Sequence, residues 1–196
     1  MRGSLAYSSN RAQGPAILPE PFIDHYIGMT GADWKSSERL LSASSGLAMI
    51  DEVYNRKILE YAGNIPRIGR LAAPDATARA HSKLCGSTVT VDLCMRDGVV
   101  VDFAHDVKAC ALGQASSSIM ARNIIGATAG ELRQVRETML RMLKENGPPP
   151  EGRFADLKYL EPVRDYKARH ASTLLTFDAV VDAIGQIEQK QAQAIA

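Results

Sequence analysis

The chain has 196 residues, of which 45% are hydrophobic and 23% charged, proportions typical of a globular protein with a hydrophobic core. Its formal net charge is only +1 and its basic residues form no dense block, which argues against nucleic acids and anionic membranes as partners. No apolar run approaches the roughly 18 residues of a membrane-spanning helix.

The first part of the chain differs in composition from the rest. Residues 1–48 are rich in Ser, Gly and Pro, and three prolines interrupt any periodicity. From Met49 onwards, apolar residues recur at helical spacing. We therefore predict that residues 1–48 form a poorly structured or dispensable extension and that residues 49–196 form the domain.

A pair of strands is predicted in the middle of the chain. Apolar and polar residues alternate over 85–95 and again over 99–107, with Asp97-Gly98 between them. A two-residue loop at this point would place the two apolar sets on different faces of the hairpin. A three-residue loop with a left-handed glycine places both sets on one face. We therefore expect the longer loop, with Leu93 opposite Val101.

This register brings two of the three cysteines together. Cys85 would face Ala109 across the hairpin and so lie beside Cys110, whereas Cys94 would lie on the opposite face. An odd number of cysteines and no recognisable secretory signal favour free thiols and a cytoplasmic location. Cys110 stands at the start of a predicted helix, where the helix dipole favours thiolate. We expect Cys110 to be the more reactive thiol.

Helices are predicted after the hairpin. The first covers about 111–125, and the second begins at the capping-box pattern Thr128-Ala129-Gly130-Glu131 and ends near 146. After a proline tract and a short element at 154–160, a last helix is predicted from about Ala171, with His170 at its start. Strands followed by helices predict an α+β domain with helices packed on one face of a small antiparallel sheet.

Several motifs, in this order, resemble a known family over roughly residues 49–184. They are Asn64-Ile65-Pro66-Arg67, Cys85-Gly86-Ser87, Ala109-Cys110-Ala111 with the Ser/Ala-rich run after it, and the segment around His170. They are similar to the Asn-Pro-Arg turn, the Cys-Gly-Asp motif, the Gly-Cys-Ala segment and the His-Cys motif of the NifU/IscU-type iron–sulfur cluster assembly scaffolds.

The resemblance implies a three-stranded antiparallel sheet carrying helices, and a site for iron or a labile [2Fe–2S] cluster. Its ligands would be Cys85, Cys110 and His170, with Ser87 where the family has an aspartate. The family's third cysteine falls on Ala171. The implied partners are a cysteine desulfurase that supplies sulfur and apo iron–sulfur proteins that receive the cluster. The chain would be a carrier and not an enzyme.

Two other functions stay open at this point. The proline tract and the segment before the last helix look more like the SufU branch, which implies a zinc-binding sulfur acceptor, a sulfurtransferase partner of the desulfurase. The degenerate ligand set also suits a metal-free module that only binds the desulfurase. A further ligand would come from Asp75, from His81 or from a partner chain, and a homodimer stays open for the same reason.

Overall fold

The computed structural model describes residues 56–195, and this part of the chain begins in helix α1, Arg56–Gly63. Its buried side chain is Ile58, which belongs to the apolar stripe predicted from Met49. The start of that stripe and the predicted extension 1–48 lie outside the described residues, so the domain boundary stays a prediction.

A three-stranded antiparallel sheet forms the centre of the domain, as predicted. Its strands are β1 (Ala76–His81), β2 (Thr88–Arg96) and β3 (Val99–Lys108), in the order β1-β2-β3. The residue pattern alone does not predict β1, because the inward side chains at 76 and 78 are alanines, which have low strand propensity. The period-two pattern of small apolar residues was its one signal.

The turn between β2 and β3 is shorter than expected. Asp97 and Gly98 have φ angles of 52° and 76°, and Arg96 pairs with Val99. Two left-handed residues between paired strands make a two-residue type I′ turn, whose twist matches that of the strands. The predicted three-residue loop is therefore wrong.

A bulge accounts for the remaining difference in register. Leu93 lies opposite Phe103 and not opposite Val101, because Val101 is an extra residue that β3 carries at a shift in the pairing. Val101 is 46% exposed, whereas Val100 before it and Phe103 two positions after it are each 1% exposed. The apolar sets thus share one face, as expected, but a bulge and not the loop brings them there.

A short segment before β1 runs along the free edge of β3. The amide of His105 donates to the Arg67 carbonyl at 3.1 Å, and the amide of Gly69 donates to the His105 carbonyl at 3.0 Å. The imidazole Nε2 of His105 lies 3.0 Å from the carbonyl oxygen of Pro66. Its Nδ1 is buried without a hydrogen-bond partner, so the neutral ring is the form that this environment favours.

A buried carboxylate fixes the next part of that segment to β2. Asp92 accepts hydrogen bonds from Arg70 Nε at 2.6 Å, from the Leu71 amide at 3.0 Å and from the Thr77 hydroxyl at 2.6 Å. Burial would raise the pKa of Asp92, but these donors outweigh it and the pKa is lowered. Asp92 thus links the segment before β1, and β1 itself, to β2.

Helices α2 (Ala111–Asn123) and α3 (Ala129–Lys144) follow the hairpin close to their predicted bounds. The Thr128 hydroxyl accepts a hydrogen bond from the Glu131 amide at 3.2 Å, as the capping-box pattern predicts. No helix within residues 56–195 combines the length and the apolar character needed to cross a bilayer.

The last part of the chain departs from its predicted bounds. A 3₁₀ segment covers Gly152–Asp165, and helix α4 covers Lys167–Ile195. α4 begins about four residues earlier than predicted, because Lys167, Ala168 and Arg169 are good helix formers. His170 and Ala171 therefore lie about one turn into this helix and not at its first residues.

The hydrophobic core lies between the sheet and the helices. α4 packs against β1 and β2, and it is flanked by α2 and α3, while the 3₁₀ segment closes the core beside these two helices. The largest fully buried side chains come from these elements except β1, and also from α1 and β3: Ile58, Leu93, Phe103, Leu112, Ile119, Met120, Ile124, Leu132, Met139, Met142, Phe154 and Phe177. This core fixes the ends of β2, β3, α2 and α4, where the candidate site lies.

Candidate functional site

An open cleft of about 300 Å³ lies at one end of the sheet, and it brings together three of the four predicted site residues. Seven residues line it: Cys85, Gly86, Ser87, Lys108, Ala109, Cys110 and Arg169. They come from the turn between β1 and β2, from the junction of β3 with α2, and from the first turn of α4. The predicted proximity of Cys85 and Cys110 is thus present, although the register that predicted it is not.

A tight turn, and not a strand, presents Cys85. β2 begins only at Thr88, and the amide of Ser82 donates to the Ser87 carbonyl at 2.9 Å across the turn. The amide of Gly86 donates back to the Ser82 carbonyl at 2.9 Å. Gly86 has φ of 70°, which a glycine adopts without strain. The thiol is exposed at the tip of this turn.

Two serine hydroxyls stabilise the ionised form of Cys85. The Ser82 Oγ and Ser87 Oγ atoms lie 3.3 and 3.0 Å from Cys85 Sγ, within reach to donate to a thiolate. These hydrogen bonds lower the pKa of Cys85 from 9.0 to about 7, against an opposing effect of burial. The hydroxyl of Ser172 contributes to the same lowering. Cys85 is therefore the thiol that the structure activates, where the sequence suggested Cys110.

Cys110 is the N-cap residue of α2, as predicted. Its Sγ lies 3.4 Å from the Ser172 hydroxyl oxygen of α4. The two helices can approach this closely because α2 has a glycine at the contact. A Cβ atom on Gly113 would lie 2.8 Å from the Ala109 Cβ and 2.9 Å from the Ser172 carbonyl oxygen. The Ser172 hydroxyl thus contacts the Cys110 thiol and also helps to lower the pKa of Cys85.

His170 lies apart from the two thiols. It is 7% exposed, and its Nε2 lies 3.1 Å from the Val163 carbonyl oxygen and 3.0 Å from that of Arg164. With Ala171 it lines a larger neighbouring cavity of about 850 Å³ and does not line the cleft. A ligand role for His170 stays a prediction, and it would fall to Nδ1 while Nε2 contacts these two carbonyls.

The other candidate donors do not line the cleft either. His81 lines the larger cavity beside His170. The carboxylate of Asp75 accepts hydrogen bonds from the Met95 amide and from Arg96, both at 2.8 Å, near the turn end of β2. Cys94 Sγ lies 3.5 Å from the Ala73 carbonyl oxygen, and this thiol lies away from the pair, as predicted.

The donor set of the cleft is small. Among residues 56–195, no group of three or more His, Cys, Asp or Glu side chains is placed to hold a metal ion. A [2Fe–2S] cluster takes four terminal ligands, and a structural zinc ion also takes four. The cleft fits such a group only in part, since it offers the thiolates Cys85 and Cys110.

The match to known proteins covers most of the described chain. Residues 53–173 match the family described as the NifU-like N-terminal domain. The chain belongs to this family. It is 78% identical to a solved nitrogen-fixing NifU-like protein (N-terminal) from Brucella abortus, with a TM-score of 0.72, over 72% of this chain and 99% of the other. The predicted resemblance is therefore confirmed.

Two further relatives agree with this family. The chain is 30% identical over 140 residues to the iron–sulfur cluster assembly scaffold protein IscU of Thermotoga maritima, covering 70% of this chain and 96% of the relative. A putative scaffold protein for the SUF system from Fervidobacterium islandicum AW-1 shares 21% identity and a TM-score of 0.63, over 68% of this chain and 98% of the other. At this identity the latter likeness supports the fold, and the predicted fold class is confirmed.

Four residues of the site were not singled out from the sequence. Ser82 and Ser172 contact the thiols, and Lys108 and Arg169 line the cleft. Ser172 had one signal, because it follows Ala171 directly, and its contact with Cys110 depends on how α4 packs against α2. Ser82 and Lys108 depend on the turn and the sheet register, and Arg169 depends on the position of α4, which local sequence patterns do not give.

Proposed function

We propose that this domain is an iron–sulfur cluster assembly scaffold that holds iron or a labile cluster on Cys85 and Cys110. The observation that carries this proposal is that two thiols from separate segments line one open cleft. Thiolates are soft ligands that favour iron–sulfur clusters and zinc over hard cations such as magnesium. Membership in the NifU-like family and the IscU relative support the same function.

The geometry suits a cargo that must leave again. A resident cluster is enclosed by a full set of protein ligands, whereas this cleft is open to solvent and offers two thiolates. Incomplete protein ligation leaves coordination positions at which an acceptor can bind during transfer. The proposed role is therefore that of a carrier and not of an enzyme.

The proposed partners follow from the chemistry. Sulfide has to be supplied to the cleft, and a cysteine desulfurase is the partner that would supply it. The recipients would be apo iron–sulfur proteins with thiols of their own. A cytoplasmic location fits this role, because free thiols such as these persist in a reducing compartment.

Anaerobic reconstitution tests the function. Protein incubated with iron and sulfide without oxygen, and then desalted, should retain both and should show the visible absorption of a cluster. Cys85→Ala and Cys110→Ala should each abolish most of this retention. Cys94→Ala is the matched control, because this thiol lies away from the cleft, and it should retain the parent content. Equal retention in all three variants would refute the assignment of the site.

A second function is favoured by the state of Cys85. An exposed thiol with a pKa of about 7 is suited to accept sulfur without any metal ligand set. In that reaction the Cys85 thiolate attacks the outer sulfur of the desulfurase persulfide. The desulfurase cysteine leaves as a thiolate, and Cys85 becomes the persulfide.

Metal analysis and one variant separate the candidate functions. A cluster scaffold should be isolated anaerobically with iron and sulfide, and a SufU-like sulfur acceptor with zinc. A module that only binds the desulfurase should carry neither. In addition, Cys110→Ala should keep persulfide formation on Cys85, detected by mass spectrometry, if sulfur acceptance is the function. If Cys85→Ala loses both cluster retention and persulfide while Cys110→Ala keeps both, the two reactions belong to Cys85.

A further inference from the structure

The cleft offers fewer ligands than the proposed cargo requires. A [2Fe–2S] cluster has four terminal positions, and residues 56–195 place two thiols there, Cys85 and Cys110. The nearby hydroxyls of Ser87 and Ser172 are weaker ligands than thiolates for iron. Both hydroxyls also already contact the thiols, at 3.0 and 3.4 Å. Two terminal positions remain, and the predicted ligand His170 would fill one of them at most, so at least one donor comes from another source.

Besides its two thiols, the cleft is lined by two cationic side chains and by no carboxylate. Lys108 and Arg169 line it, whereas no Asp or Glu does. Lys108 Nζ lies 3.8 Å from the Asp106 carboxylate, and its side chain is 75% exposed, so this contact contributes little. Within the part of the chain that the structure describes, the Arg169 guanidinium has no carboxylate partner. Two cations are thus available to an anion that enters the cleft.

We propose that a small thiol bearing a carboxylate completes the cluster's coordination, with its sulfur on iron and its carboxylate on Lys108 and Arg169. This inference rests on the scaffold function proposed above. On binding, the thiol loses its proton to solvent and its sulfur replaces a water ligand on iron, with no change of oxidation state. The volume of about 300 Å³ and the open mouth admit a molecule of this size.

The charges also argue against a second copy of the chain as the source of the missing thiolates. Two copies facing each other across one cluster would bring Lys108 and Arg169 of each copy together, and like charges repel. The carboxylate of a free anionic thiol is instead attracted to Lys108 and Arg169. It also leaves the coordination positions exchangeable, as transfer to an acceptor requires.

A series of thiols that differ in charge tests the proposal. The full chain is reconstituted with iron and sulfide, without oxygen, in 3-mercaptopropionate, 2-mercaptoethanol or cysteamine at matched thiolate concentration. After desalting into the same thiol, cluster lifetime is followed by absorbance, and bound thiol per iron is measured by mass spectrometry after acid release. We expect the anionic thiol to extend cluster lifetime by roughly two- to tenfold over the neutral one, as two exposed ion pairs would, and the cationic thiol to shorten it.

Variants assign the effect to the two cations. Lys108→Gln and Arg169→Gln should each reduce the advantage of the anionic thiol, and the double variant should remove it. Lys158→Gln, a change of an exposed lysine on the 3₁₀ segment, should leave the advantage intact. Desalted parent protein should carry at least one small thiol per two irons.

Each other outcome is decisive. Equal lifetimes in the three thiols, or a stable cluster without bound thiol, would overturn the inference and leave the scaffold function in place. A cluster recovered with two chains per two irons and no small thiol would assign the missing ligands to a second copy. No cluster under any condition would overturn the scaffold function together with the inference.

Discussion

Removing the hydroxyls beside Cys85 should raise the pKa of its thiol and slow its reactions near neutral pH. At pH 7 a thiol of pKa about 7 is half ionised, whereas one of pKa 9.0 is about 1% ionised, a roughly 50-fold difference in thiolate. Over that difference the intrinsic nucleophilicity falls by roughly eightfold, because it decreases with pKa. Cys85 should therefore react about sixfold faster than an ordinary cysteine at pH 7.

The same reasoning predicts that the order reverses at high pH. At pH 9 Cys85 is almost fully ionised and the ordinary thiol is half ionised, so the less basic Cys85 thiolate should react at about one quarter of the ordinary rate. The two rates should cross at about pH 8. Ser87→Ala and Ser82→Ala should each move the inflection of the rate profile from about 7 towards 9.0, because each removes a donor to the thiolate.

The measurement needs a chain with one thiol. In the Cys94→Ala, Cys110→Ala double variant, the rate of reaction with an aromatic disulfide is recorded from about pH 5.5 to 9.5, with a cysteine-containing peptide amide as the reference. Ser116→Ala is the control, because this buried hydroxyl donates to the Gly113 carbonyl and not to a thiol. An inflection that stays in place in both serine variants would refute the proposed cause. A reaction at pH 7 that is faster in the matching Cys85→Ala, Cys94→Ala chain, whose one thiol is Cys110, would restore the expectation drawn from the sequence.

Three further predictions follow from contacts of single side chains. Ser172→Cys should lengthen cluster lifetime in anaerobic reconstitution, because this position contacts the Cys110 thiol, while Ala171→Cys should change it little, because that position lines the neighbouring cavity. Burial lowers the pKa of His105, so the unfolded chain binds a proton as pH falls below about 6.5 and the folded chain does not. Stability in urea should therefore be lost as pH decreases through this range, and less so in His105→Gln. Asp92→Asn should lower the free energy of unfolding by about 2 kcal/mol near neutral pH, and the difference from the parent should shrink below about pH 4, where unfolded aspartate binds a proton.

The sequence predicted which elements form better than it predicted the register in which the strands pair. Alternation identified β2 and β3, and the capping pattern at Thr128 identified the start of α3, because both signals are local. The hairpin register was wrong because one extra residue in β3, Val101, produces the same facing of apolar side chains as a longer loop. Nothing in the local pattern distinguishes a bulge from a loop, since both shift the alternation by one residue.

The site was predicted in part for the same reason. Cys85 and Cys110 were recognisable because their motifs are local and ordered along the chain. The sequence does not predict Ser172, because the packing of α4 against α2, and no pattern within the segment itself, decides which face of α4 meets the thiols. Lys108 and Arg169 join the cleft through the sheet and the core, which no local pattern reveals.

Gly113, at the contact of α2 with α4, sets the distance between these two helices beside the site. Any side chain at Gly113 would press against Ala109 and against the backbone of Ser172, and α4 would have to move outwards. That movement would separate the Ser172 hydroxyl from the Cys110 sulfur. Both thiols of the cleft would still be present. Gly113→Ala would therefore weaken the binding of a cargo and raise its release rate, although the added methyl group does not contact the cargo.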